Sequence, residues 1–197
     1  MARILMENGE YRMNSRFHAM ALACIVATPA AADSLDINLH DDALRFTYST
    51  GSFHQGLDLD FGYLYAKKRG HNGHVAHLGL QVAGQNWSDQ GEFDVGMGGR
   101  LVYTDTRSGD GTNLALGGTV RFSPIHLVGF NASLFYAPNI TSFMDSERYR
   151  EWGVSVDYQL LARGFIYLGY RDVESRYKNR GTHKIDDSLH IGMKMLF

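Results

Sequence analysis

From residue 33 to the C-terminus, apolar and polar residues alternate almost one for one, and this period of two constrains the chain more than any other feature. In a strand, successive side chains point to opposite faces, so such a pattern describes a sheet with one apolar and one polar surface. Segment 56–66 places Leu57, Leu59, Phe61, Tyr63 and Tyr65 on one face and Asp58, Asp60 and Gly62 on the other. In 92–105, Phe93, Val95, Met97, Leu101 and Tyr103 oppose Asp94, Gly96, Gly98, Arg100 and Thr104. Segments 113–123, 149–160 and 187–197 repeat the pattern, and 74–84, 127–137 and 164–177 follow it more loosely. After residue 32 no stretch has the 3.6-residue period of a helix, which predicts an all-β chain.

The connections order those strands. Short turns are expected at 51–55, 124–126 and 161–163, and longer loops rich in Gly, Asn, Asp and charge at 67–73, 106–112, 138–148 and 178–186. The two classes alternate, apart from 85–91, where a short turn was due. Alternation of short and long connections is the signature of an antiparallel up-and-down barrel. Eight strands follow residue 56. Segment 33–50 divides at His40-Asp41-Asp42, with Leu35, Ile37 and Leu39 alternating before it and Leu44, Phe46 and Tyr48 after it. Ten strands are therefore expected, or eight if 33–50 packs elsewhere.

Alternation does not say which face points inward, and three features favour a transmembrane barrel with its apolar face outside. Tyr63, Tyr65, Tyr103, Phe122, Tyr136, Trp152, Tyr158 and Tyr170 lie on the apolar faces toward strand ends, where interfacial girdles stand. The polar faces carry opposed full charges at mid-strand: Asp58, Asp60, Asp94, Glu151 and Asp157 against Arg45, Arg100, Arg121, Arg171 and Lys194. Five acids against five bases suit a narrow, mostly filled lumen, where an unpaired charge is expensive. The chain also closes on an alternating strand ending in Phe197, the form of a barrel-assembly signal. No apolar run reaches the length of a membrane-spanning helix, which leaves membrane strands open.

Residues 1–32 have the layout of a signal peptide: a basic n-region at 13–16, a short apolar stretch at 19–27 and a small-residue site closing on Ala32. Glu7 and Glu10 fit such an n-region poorly, so Met13 is the expected start. The single cysteine, Cys24, belongs to this segment, so residues 33–197 have no thiol chemistry.

With the strands in place, His77-Leu-Gly-Leu80, Gly98-Gly-Arg100 with Tyr103, Ala115-Leu-Gly-Gly118, Phe135-Tyr-Ala-Pro138, Tyr149-Arg-Glu151 and Tyr167-Leu-Gly-Tyr-Arg171 form an ordered set. In that order they resemble the YfaZ family of Gram-negative outer-membrane proteins across most of 34–197. The resemblance implies an outer-membrane β-barrel with a porin-like role and no catalytic residues.

Other chemistry is weakly represented. His71, His74 and His77 have metal-like spacing, but His74 and His77 point to opposite faces of a strand, leaving at most His71 and His74 to chelate. Asp58 and Asp60 share a face with nearby bases, which favours ion pairs over a metal site. Ser155 and His190 fall on inner faces near Glu151 and Asp157, without a nucleophile-elbow or triad motif. A net charge of −2 and one basic triplet, 67–69, give nucleic acid nothing to bind. The expected protein is a non-enzymatic barrel without cofactor, either a narrow porin for small solutes or ions or a structural surface barrel. Its partners would be outer-membrane lipids and the barrel-assembly machinery. The alternatives are a barrel enzyme acting on lipid or lipopolysaccharide, and a soluble periplasmic binding barrel.

Overall fold

A computed structural model of the protein describes residues 33–50, 56–68, 71–88 and 91–197. The signal-peptide segment and the expected turn at 51–55 lie outside them. Antiparallel pairing runs in chain order through β1 (Asp33–His40), β2 (Ala43–Thr50), β3 (Gly56–Lys68), β4 (His71–Ser88), β5 (Gly91–Thr106), β6 (Gly109–Ile125) and β7 (Val128–Ala137). A short β8 (Ser142–Met144) precedes β9 (Ser146–Leu161), β10 (Gly164–Tyr177) and β11 (Gly181–Leu196). β7 pairs β9, and β11 returns to β1 through Ser34↔Leu196 to Leu39↔Ile191, so ten long strands close into a barrel without a free edge. Segment 33–50 thus supplies two strands, divided at the expected place.

Both ends of the described chain, Asp33 and Phe197, lie at one rim, called here the terminal end; the opposite rim is the far end. The expected long loops shrink, because the strands continue through much of 67–73, 106–112 and 178–186. Their glycines and charges stand in paired strand, where hydrogen bonding across the ladder decides the conformation over local turn propensity. Segment 85–91 is corrected in the same way, with β4 running to Ser88 and β5 starting at Gly91. Pro124 lies inside β6 at the register shift between Phe122 and Ile125, where a missing N–H is tolerated.

Among the described residues the wall is broken after β7. Pro138 has no N–H to continue β7, and a 3-10 turn follows at Asn139–Thr141. The Pro138 carbonyl accepts from the Thr141 N–H at 3.0 Å and from the Ser142 hydroxyl at 3.0 Å. β8 then rejoins β6 through Ser142↔Asn113, so β7 and β8 act as one broken stave.

Side-chain direction follows the alternation. Outward positions carry exposed apolar groups, among them Leu59, Phe61, Leu78, Leu101, Leu116, Val156, Leu168 and Ile191. On β9 the outward apolar series from Trp152 to Leu160 spans nine residues, the length of a tilted strand crossing hydrocarbon. Beyond it toward the far end the outer face changes abruptly. Ladder rows there read Trp152–Asp172–Asp187, then Arg150–Glu174–Lys184, then Arg148–Arg176–Thr182. Arg150 reaches Glu174 at 3.1 Å, and Lys184 reaches Asp172 at 3.0 Å and Asp187 at 3.1 Å. Such a charge lattice does not sit in lipid, so the strands project past the apolar band at this end.

Glycines shape the wall from inside. A side chain at Gly98 would strike the Leu80 carbonyl and one at Gly117 the Leu134 carbonyl, so these paired residues mark a tight corner across β4 to β7. Gly62, Gly79 and Gly192 instead make floor space for His77, Asp60 and Tyr167.

Candidate functional site

The lumen is layered. At the far end the inward positions are apolar: Leu64, Ala66, Val75, Val102, Ala115, Phe135, Ala137, Tyr149, Val173 and Ile185 form one buried cluster. Val102, Ala115, Phe135, Ala137, Tyr149 and Val173 are 0% exposed, so they fill the cross-section. Polar groups cap this plug. Tyr177 Oη donates to Thr104 Oγ1 at 3.1 Å, and Ser146 Oγ donates to Asn113 Oδ1 at 2.7 Å.

Beneath the plug lies a charged layer. Glu151 Oε1 stands 2.7 Å from Arg45 Nη1 and 3.8 Å from Arg100 Nη1, while Glu151 Oε2 accepts from Tyr149 Oη at 2.6 Å. Arg100 also approaches Asp60 at 3.2 Å. Asp60 in turn meets His77 Nε2 at 2.9 Å and accepts from the Gln81 amide at 3.1 Å. The Arg100 guanidinium stacks 3.8 Å over the Phe135 ring, joining the ionic layer to the plug. Across the lumen Arg171 donates to Asp186 at 2.6 and 2.8 Å and to Asn38 Oδ1 at 2.9 Å. Tyr167 Oη receives the Asn38 amide at 2.9 Å and donates to Asp36 at 2.6 Å. Pairing and hydrogen bonding together are what make buried ions tolerable.

Below this layer a cavity of about 490 Å³ extends to His126 and Ala162 in the terminal-end turns. It is lined by all ten charged residues singled out from the sequence: Arg45, Asp58, Asp60, Asp94, Arg100, Arg121, Glu151, Asp157, Arg171 and Lys194. Several of them meet in local groups. Arg45, Asp60, Arg100 and Glu151 form one cluster. Arg121 pairs with Asp157 at 2.8 Å, with Asn131 adding 2.7 Å. Arg171 turns to Asp186, and Lys194 sits opposite Asp36 in the ladder.

Sequence reasoning missed Asp36, Tyr167 and Asp186 as partners, and it missed the plug. The signal for the plug is a local loss of alternation: Tyr63-Leu64-Tyr65, Leu101-Val102-Tyr103 and Leu134-Phe135-Tyr136 are apolar on both faces. The set-aside motifs also resolve. His74 points outward to Tyr63 Oη at 2.6 Å while His77 points inward; the side chain of His71 lies outside the described residues. Ser155 and His190 flank Gly169 in one row, with no hydrogen bond between them. No group of three metal-ligating side chains comes together among the described residues.

A closed antiparallel barrel with an apolar outer band and an ion-paired lumen is a transmembrane β-barrel. The sequence narrows that class. The family model described as YfaZ precursor matches residues 13–197, so the chain belongs to the YfaZ family. Among solved structures, a NanC porin in a rhombohedral crystal form aligns at 12% identity, covering 84% of this chain and 99% of that chain, with a TM-score of 0.37. No curated protein matches the chain.

Proposed function

We propose that the protein is an integral outer-membrane β-barrel of a Gram-negative bacterium with a passive role. In this reading the terminal end and its basin face the periplasm, and the plugged, charge-belted end faces outward. Barrels of this class, with an even number of strands, keep both chain termini on the periplasmic side, and Asp33 and Phe197 share the terminal rim. The observation that carries the proposal is the fully buried apolar section over a polar basin. Small solutes and ions enter the basin from the periplasm, but the far end is shut, so the barrel is a sealed surface protein with a vestibule. Outer-membrane lipids cover its outer face, and the assembly machinery takes the strand that closes on Phe197.

Planar-bilayer recording of the refolded full chain tests this. No steady unitary conductance is expected; a sustained open channel would refute the sealed reading and favour the narrow porin. Retention in the membrane pellet after carbonate wash, with heat-modifiable migration on a gel, tests the location. Recovery as a soluble periplasmic monomer would overturn it.

A further inference from the structure

The basin is lined by more carboxylates than cationic groups. Its lining holds seven carboxylates, Asp36, Asp58, Asp60, Glu92, Asp94, Glu151 and Asp157, against five cationic groups. The arginines are engaged with Glu151, Asp60, Asp157 and Asp186, and four of the carboxylates stand on the wall formed by β3 and β5. One residue there stands apart. Asp58 lines the cavity, is 7% exposed, and its buried Oδ1 has no hydrogen-bond partner. Buried carboxylate oxygens are almost always satisfied, and an unsatisfied one beside an open cavity points to a missing donor.

We propose that the basin binds a small organic cation, of the primary ammonium or guanidinium class, with Asp58 as the principal acceptor. This rests on the barrel and vestibule described above. The choice of cation follows from the surroundings. No three metal-ligating groups converge among the described residues, so nothing there builds the all-protein oxygen cage of a calcium site. The site offers a carboxylate acceptor paired in the ladder with Gln81, whose amide lines the same cavity as the Ser49 hydroxyl, and this suits a group that donates several hydrogen bonds at once. The cavity volume fits a molecule of a few heavy atoms with its shell of water.

The test is isothermal titration of the refolded full-length barrel in detergent with putrescine and, separately, with guanidinium chloride. Magnesium chloride and succinate serve as comparison probes. Saturable putrescine or guanidinium binding is expected, weakened about ten- to a hundredfold in Asp58→Asn, the range for losing a hydrogen bond to a charged group. Asp58→Ser provides a second variant should the first fail to give a heat-modifiable barrel, and Lys178→Gln, outside the lumen, should bind as the parent does. No saturable binding, Asp58 variants that bind as tightly as the parent, or stronger binding of magnesium or succinate would each overturn the inference. These outcomes are separable from failure of the sealed-barrel reading, which shows as conductance in a bilayer whatever the titration gives.

Discussion

Glu151→Gln probes the ionic layer most sharply. The substitution preserves shape and leaves one oxygen to accept from Tyr149 or Arg45, but removes the charge set against two guanidiniums. Arg45, with its side chain 11% exposed, loses its ion-pair partner, and Arg100 retains only Asp60, which already serves His77. Stripping one member from a buried pair costs about 3–5 kcal/mol, and the surviving hydrogen bonds place the expected loss near the lower figure. Glu174→Gln is the internal comparison. Its partners Arg148 and Arg150 have side chains 37% and 41% exposed in the outer charge lattice, so the loss there should be about 0–1 kcal/mol. Reversible urea unfolding in short-chain lipid vesicles measures both, with Trp87 and Trp152 as fluorophores. A difference below about 1 kcal/mol between the variants would show that water screens the layer as well as it screens the outer belt, refuting the reading of the Glu151 pairs as buried ion pairs. Replacing Arg45 and Glu151 together by methionine should cost less than Glu151→Gln alone, since no uncompensated charge remains.

Three further outcomes follow from the packing of the barrel. Phe135→Ala removes a ring that is 0% exposed and carries Arg100 on its face; it should lower stability by about 3–5 kcal/mol and produce channel events where the parent shows none. Gly117→Val places branches against the Leu134 carbonyl in the corner of the wall, and the heat-modifiable band should disappear. Leu168→Arg sets a cation midway along the outer band, in the row of Val156 and Ile191, and should cost about 2–4 kcal/mol in vesicle unfolding, whereas the same change at Thr182 should be nearly silent.

The strands, their antiparallel order and the division of 33–50 at His40-Asp41-Asp42 were legible because a period of two survives any context that keeps one face apolar. The inner charges were legible for the same reason: parity alone assigns Asp94, Arg121 and Lys194 to one side. Parity is silent about height along the barrel, and that is where the sequence misled. Glycine and charge at 67–73, 106–112 and 178–186 looked like loops because turn propensity is local, while the ladder that holds them in strand is made with residues far along the chain. Partner choice was likewise out of reach. Arg171 selects Asp186 across a bulge between Val173 and Glu174, and no pattern in one strand announces a bulge in its register with the next.

The projecting strands leave this barrel with a stiff rim at its far end. Among the described residues, the far-end connections at 41–42, 107–108 and 178–180 are two or three residues long, and the remaining one spans 138–145. A protease needs several residues of pliable backbone in its cleft, and a hydrogen-bonded ladder pinned by Arg150, Glu174 and Lys184 yields none. Antibodies or phage fibres meeting that rim would read a stiff mosaic assembled from three strands, so peptides copied from any one of them would not reproduce it. The segment around the break at Pro138 is then the natural place to insert an epitope tag or a cleavage site.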